Sequence, residues 1–218
     1  MKKILSNPVL YITLLLLILA TGYSFFIKEW EVAYTAIGAL ILTLLPLFLK
    51  RKYKIYISHS FISFVAVFIY ATIFLGEVLD FYDKFWWWDL LWHMCSAIGF
   101  GLIGGVLLLL ISGKHRVEAN PALFTMFSFC FAVSVGVLWE IFEFSMDQTF
   151  GTNMQKSGLI DTMADIIINV IGAGIASVGG YLYIIKSKYS FFENIIEENY
   201  IGNKSIIKHK RVEEEKET

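Results

Sequence analysis

This sequence of 218 residues carries little charge for its length. Only 17% of its residues are charged, whereas a soluble globular domain has about 25%. Hydrophobic residues make up 57% of the chain, and the mean hydropathy is +0.64. This composition excludes an ordinary soluble domain and predicts a membrane protein, because a water-soluble fold needs more polar residues to cover its surface.

Cysteine is also scarce, and the basic residues form no continuous stripe. Cys95 and Cys130 both lie within apolar runs, so we interpret them as small hydrophobic side chains. Two such cysteines exclude a disulfide framework and a zinc knuckle. The lack of a basic stripe argues against a nucleic-acid partner. The lipid bilayer is therefore the expected surrounding of most of the chain.

Apolar runs long enough to span a bilayer, about 20 residues as a helix, are abundant. Six occur: Val9–Phe26, Ala33–Leu49, Phe61–Leu79, Trp86–Ile111, Pro121–Met146 and Leu159–Ile185. The sequence therefore predicts an all-α, polytopic membrane protein with six transmembrane helices in residues 1–186. Residues 187–218 are expected to form a charged, partly disordered cytoplasmic tail. One face of a short interfacial helix is expected there from Phe191, Phe192, Ile195 and Ile196.

The positive charges alternate from loop to loop along the chain. Fifteen of the 18 lysines and arginines fall on the side that holds both termini, and Lys28, Lys84 and Lys156 fall on the other side. Because cytoplasmic loops are rich in lysine and arginine, this bias predicts that both termini are cytoplasmic. The run Trp86–Trp88 then lies at the outer interface, where indole rings are enriched.

Acidic residues of the last four predicted helices gather near the outer ends of those helices. Helical periodicity places each group on one helix face, and a charge facing lipid is costly. We therefore expect these faces to converge on a carboxylate-rich pocket that opens to the outside. The residues are Glu77, Asp80, Asp89, His93, Glu140, Glu143, Asp147, Asp161 and Asp165, with Asn169 one turn deeper.

Small residues at four-residue spacing lie just below these acids in two of the helices. The rows are Ala97, Gly101 and Gly105, and Gly172, Ala176 and Gly180. Such rows allow helix backbones to approach closely in lipid. We expect a tight helical bundle beneath the acidic pocket.

Three short motifs surround the acidic residues. They are Asp89-x-x-x-His93, Trp139-Glu140-Ile141-Phe142-Glu143, and Gln155 followed by Asp161-Thr162-x-x-Asp165 and Gly172-Ala173. Together they resemble the motifs of the YjdF-like family, small bacterial inner-membrane proteins of unknown function. The resemblance covers the last four predicted helices and departs at Ala97, where the family pattern has glycine. It implies a multi-pass protein of the bacterial cytoplasmic membrane and implies no activity.

The residues favour a metal-dependent hydrolase that acts on a lipid or envelope substrate from the outer leaflet. Carboxylates with one imidazole suit Mg²⁺, Mn²⁺, Ca²⁺ or Fe²⁺ better than zinc. We expect His93 to act as a ligand or general base, oriented by Asp89, with Glu140 as a further catalytic residue. Ser96 is interpreted as a helix-packing serine rather than a nucleophile. The expected metal ligands are His93, Glu140, Glu143, Asp165 and Asp161.

Two other interpretations stay open. Intramembrane acids mark the path of cation or proton transporters, but the inner halves of the last four helices hold almost no ionisable residue. In a structural protein, Asp89 and Asp161 would serve to cap helix starts. Glu140, Glu143 and Asp165, in contrast, have no lysine or arginine among them. So many acids without bases indicate a bound cation or protonated acids.

Overall fold

The computed structural model describes residues 7–112, 120–185 and 195–206, and within these ranges the chain is helical and has no β-strand. The helices are α1 (Pro8–Ile27), α2 (Trp30–Lys52), α3 (His59–Ile69) with a π-helical continuation (Tyr70–Val78), α4 (Phe81–Lys84), α5 (Trp88–Ser112), α6 (Pro121–Phe150), α7 (Leu159–Ile185) and α8 (195–206). Six of them are long and apolar enough to cross a membrane: α1, α2, α3 with its continuation, α5, α6 and α7. The all-α, six-span prediction is confirmed, and the orientation of the termini stays a prediction.

Asparagine and proline set the start of two spans. Asn7 precedes α1 and Asn120 precedes α6, and each side-chain oxygen accepts hydrogen bonds from backbone N–H groups of the first turn. Pro8 and Pro121 occupy the first helical position, where a backbone N–H has no intrahelical partner. Such local signals explain why the predicted spans end within about one helical turn of the observed helices.

The second half of the third span was not predicted in its observed form. Residues Tyr70–Val78 form a π-helix, a wider and rarer winding than the α-helix. After it, Asp80 adopts a φ of 55°, in the left-handed region that aspartate tolerates better than most residues. The Tyr82 ring occupies the space where a side chain at Gly76 would stand, which explains the glycine there.

The chain forms two compact units, Met1–Trp88 with Ile201–Thr218 and Asp89–Tyr200. In the first unit, α1, α2 and α3 pack through two groups of buried side chains. One group is Leu10, Ile62 and Ala66, and the other is Leu17, Ala39 and Ile69. Small residues at these contacts allow the helices to approach closely.

A side-chain amide of α8 completes the first unit. Asn203 Nδ2 donates to the Tyr56 carbonyl at 2.8 Å, and Asn203 Oδ1 accepts from the Tyr56 N–H at 2.9 Å. The Tyr56 ring also packs against Gly202, where a Cβ atom would collide with it. This paired bond satisfies both backbone polar groups of one residue outside the helices.

The second unit contains α5, α6 and α7, and the predicted small-residue rows lie at its helix contacts. A Cβ atom on Gly172 would stand 2.7 Å from the Met94 carbonyl oxygen, and one on Gly101 would stand 2.5 Å from the Ala176 Cβ. Ser128 ties α6 to α5 because its hydroxyl donates to the Gly101 carbonyl at 2.6 Å. The expectation of a tight bundle is confirmed for these three helices.

One aromatic ring packs against the last glycine of each small-residue row. Phe124 is fully buried, and its ring lies against both Gly105 and Gly180. The same apolar core includes Ile196 and Tyr200 of α8. The first half of α8 is therefore part of a packed core. The division at residue 187 stays a prediction, and Phe191, Phe192 and Lys208–Thr218 lie outside the described residues.

Candidate functional site

Three helices of the second unit bring acidic side chains together at one end. The first turns of α5 supply Asp89 and His93, the second half of α6 supplies Glu140 and Glu143, and the first half of α7 supplies the rest. We call this set the carboxylate cluster: Asp89, His93, Glu140, Glu143, Asp161, Asp165 and Asn169. Glu77 and Asp80, which were expected to join it, belong to the first unit.

His93 lies at the centre of the carboxylate cluster and is buried. Its Nε2 atom is 3.4 Å from Asp89 Oδ1, and its Nδ1 atom is 3.7 Å from Glu140 Oε1. Asn169 Nδ2 approaches the same Nδ1 atom at 3.4 Å. Both ring nitrogens therefore face carboxylates, on two different helices.

Three of these residues could hold one cation between them. Ligand atoms of Asp89, His93 and Asp165 all lie within 4.8 Å of one another. Asp89 was expected to orient the histidine, and it is placed here as a candidate ligand itself. The other expected ligands, Glu140, Glu143 and Asp161, belong to the carboxylate cluster but are outside this group of three. Carboxylate and imidazole atoms at such separations fit one divalent ion with a small adjustment of side chains.

Buried oxygen atoms without a hydrogen-bonding partner mark the same place. Both carboxylate oxygens of Glu140, Oδ2 of Asp165 and Oδ1 of Asn169 are in this state, and these residues are only 4%, 1% and 2% exposed. A buried polar group left unpaired costs about 1–3 kcal/mol. Four such oxygens around one histidine therefore indicate that something other than these side chains satisfies them.

Glu143 has a partner that sequence reasoning did not identify. The indole N–H of Trp139, one turn earlier on α6, donates to Glu143 Oε1 at 2.8 Å. Trp139 is 47% exposed on the outside of the bundle, whereas Glu143 is buried. Both residues lie in the Trp-Glu-Ile-Phe-Glu motif, but an outward-facing tryptophan in an apolar helix gives no signal of such a bond.

Asp147 organises the loop between α6 and α7 (residues 151–158) and is not a member of the carboxylate cluster. Its Oδ1 atom accepts from the Thr152 hydroxyl at 2.6 Å and from the Met154 N–H at 2.8 Å. Its Oδ2 atom accepts from the Gln155 N–H at 2.9 Å. The loop thus has a defined conformation around one carboxylate.

Two polar residues on the loop side of the carboxylate cluster were also missed. Gln155 Nε2 donates to the Thr162 hydroxyl at 2.7 Å, and the Thr162 side chain faces the Glu140 carboxylate. Their presence in the third motif was the available signal. On the opposite side, the Ser96 hydroxyl donates to the His93 carbonyl at 2.8 Å, in agreement with a packing role.

The positive charge near the carboxylate cluster is small. Lys156 of the loop lies near Asp161, to which its backbone N–H also donates a hydrogen bond. Among the described residues, the ion pairs of the carboxylate cluster are those that His93 makes with Asp89 and Glu140. Five carboxyl groups in a low-dielectric bundle need further compensation by a cation or by protons.

Comparison with known proteins agrees with the fold and assigns no activity. Residues 9–186 match a family described as a predicted membrane protein (DUF2238), and the chain belongs to this family. The resemblance to YjdF-like membrane proteins of unknown function is confirmed at this level. An uncharacterized protein of Thermotoga maritima is 31% identical over 124 residues, which are 57% of this chain and 59% of that protein. No solved structure matches the chain.

Proposed function

We propose that the carboxylate cluster binds one divalent metal cation. In this proposal Asp89, His93 and Asp165 are ligands, and Glu140 supplies a fourth from α6. The observation that carries the proposal is the set of buried, unpartnered oxygens of Glu140, Asp165 and Asn169 around His93. The mixture of several carboxylates with one imidazole favours Mg²⁺, Mn²⁺, Ca²⁺ or Fe²⁺ over zinc.

We also propose that the carboxylate cluster opens to the outer face of a bacterial cytoplasmic membrane. The lysine and arginine bias of the loops supports this orientation. Asp89 and Asp161 are partly exposed, whereas His93, Glu140 and Asp165 are buried. Access to the cation would therefore run past the two aspartates at the starts of α5 and α7.

The packing beneath the carboxylate cluster supports catalysis over transport. The backbone at Gly172 is in contact with Met94 and Ala97, and the Phe124 ring fills the space between Gly105 and Gly180. A cation path through α5, α6 and α7 would need these close contacts to separate. We therefore favour a metal-dependent hydrolase in which the cation polarises a carbonyl or phosphoryl group of a lipid or envelope substrate.

The direct test is cation binding by the purified protein in detergent. After treatment with chelator, Mn²⁺ or Mg²⁺ should raise the melting temperature of the wild type, and metal analysis should find about one ion per chain. Glu140→Gln and Asp165→Asn should each weaken binding at least tenfold, because each removes a charged ligand. Glu31→Gln is the matched control, since it makes the same change at an exposed residue of α2. If none of Mg²⁺, Mn²⁺, Ca²⁺ and Zn²⁺ stabilises the wild type, the proposal of a metal site is wrong.

A further inference from the structure

A short chain of polar contacts leads from the α6–α7 loop to the carboxylate cluster. The Gln155 backbone is held by Asp147 Oδ2, and its side-chain Nε2 donates to Thr162 Oγ1 at 2.7 Å. Because the Gln155 amide is the donor in this bond, the single hydroxyl proton of Thr162 is available to another acceptor. The loop therefore determines which way that proton can point.

Thr162 differs in this respect from three other hydroxyl residues of the same two helices. Thr125, Ser145 and Ser177 each donate to the backbone carbonyl four residues earlier, the usual arrangement within a helix. Thr162 instead accepts a bond from the loop and turns its side chain to Glu140. A hydroxyl used in this way serves the carboxylate cluster and not its own helix.

Glu140 is the carboxylate that such a hydroxyl can orient. It is buried, and neither of its oxygens has a hydrogen bond of good geometry, while Oε1 lies on the His93 side at 3.7 Å from Nδ1. A small rotation of the Thr162 side chain would give one oxygen a donor. The carboxylate plane would then be fixed, with its other oxygen directed into the carboxylate cluster.

We propose that Gln155 and Thr162 are positioning residues of the cation site. Gln155 holds the Thr162 hydroxyl, and that hydroxyl donates to Glu140 and orients it as a ligand. This inference rests on the proposed function, because it assigns the groups that hold one of its metal ligands in place. Loss of such a supporting hydrogen bond typically weakens metal affinity about 10–100-fold.

The test measures Mn²⁺ affinity by titration calorimetry in detergent, together with the melting temperature in chelator. Thr162→Val should weaken Mn²⁺ binding about tenfold, whereas Thr162→Ser, which keeps the hydroxyl, should stay close to the wild type. The matched control is Thr125→Val, because the Thr125 hydroxyl donates to the Pro121 carbonyl at the other end of α6. If Thr162→Val does not fold, Gln155→Ala in the loop carries the test.

The double variant shows whether Gln155 acts through Thr162. Gln155→Ala alone should weaken Mn²⁺ binding about threefold, and adding it to Thr162→Val should cause no further loss, since coupled residues are not additive. Full additivity would overturn the proposed chain of contacts. If Thr162→Val binds Mn²⁺ as tightly as the wild type, this inference is overturned and the proposed metal site is unaffected. Absence of Mn²⁺ binding by the wild type would overturn both.

Discussion

The environment of Glu140 distinguishes a cation-binding site from a cluster of acids with only a structural role. Its carboxylate is buried, it makes no good hydrogen bond, and it lies within the electrostatic reach of Asp89 and Asp161. A carboxylate placed for structure alone would have donors on both oxygens. Its isosteric amide therefore gives opposite results under the two interpretations.

We expect Glu140→Gln to leave the metal-free protein as stable as the wild type or slightly more stable. The change removes repulsion from neighbouring carboxylates, and the amide oxygen can still accept a hydrogen bond from Thr162. In chelator the melting temperature should therefore be equal or higher by up to about 4 °C. In saturating Mn²⁺ the same variant should melt below the wild type, because it has lost a ligand.

Differential scanning fluorimetry in chelator and in Mn²⁺ measures both effects, with Glu31→Gln as the reference for an amide at an exposed position. A variant that melts several degrees below the wild type in both conditions would show that Glu140 is held by a structural bond. In that case the carboxylate cluster is better described as a network of side chains.

Part of the residue-scale arrangement could be predicted from the sequence. The high cost of an acid that faces lipid required the acids of α5, α6 and α7 to converge, and the structure places Asp89, His93, Glu140 and Asp165 together. The bond from Trp139 and the contact of Thr162 could not be predicted. They depend on side-chain conformations, within α6 for Trp139 and between α6 and α7 for Thr162, which periodicity alone does not specify.

At the scale of single elements, the loop between α6 and α7 depends on one side chain. Asp147 accepts three hydrogen bonds from loop groups. Gly151 and Gly158 both have a φ of 67°, which glycine adopts without strain. The ends of the loop are therefore fixed by glycine conformation and its centre by Asp147.

We expect Asp147→Asn to open this loop, since an amide group can replace only one of the two accepting oxygens. Loss of one or two charge-assisted bonds of this kind should raise the rate of proteolytic cleavage within residues 151–158 roughly tenfold. Limited proteolysis followed by mass spectrometry gives the rate and the cut sites. Added Mn²⁺ should slow cleavage of the wild type, because Gln155 and Thr162 connect the loop with Glu140.

The neighbouring variant Gln148→Ala, at an exposed position on α6, should be cleaved at the wild-type rate. Equal cleavage of Asp147→Asn and the wild type would mean that Asp147 does not hold the loop. If no divalent cation changes the rate of cleavage, the loop is not coupled to the proposed cation site.

Element boundaries were easier to predict than element type or docking. Asn-Pro pairs start α1 and α6, and long apolar runs define the spans, so local sequence was sufficient. The π-helix at Tyr70–Val78 and the packing of α8 through Ile196 and Tyr200 could not be predicted in the same way. The packing of α8 results from contacts between segments far apart in the chain.

At the scale of the whole molecule, the loop charges predict a single orientation in the membrane. Cysteines placed singly at Asn7, Lys52 and His115 should resist a membrane-impermeant thiol reagent in intact cells. Cysteines at Lys28, Lys84 and Thr152 should react with it. Each cysteine is introduced into a protein in which Cys95 and Cys130 are replaced by alanine, since both are free thiols.

Mass-shift labelling before and after cell lysis measures this, and lysis should make the three protected positions reactive. Reaction of the cysteine at the Lys52 position in intact cells would show that the protein has the opposite orientation in the membrane. The carboxylate cluster would then open to the cytoplasm, where the available cations and substrates differ.

The hydrogen bond between Trp139 and Glu143 makes the fluorescence of Trp139 sensitive to changes in the carboxylate cluster. Indole emission depends on the hydrogen bond of its N–H and on charge near the ring, and Glu143 lies within electrostatic reach of Glu140 and His93. With the other five of the six tryptophans changed to phenylalanine, the spectrum would follow the arrival of an ion directly. Occupancy could then be titrated without a label, in a lipid bilayer and before any substrate is known.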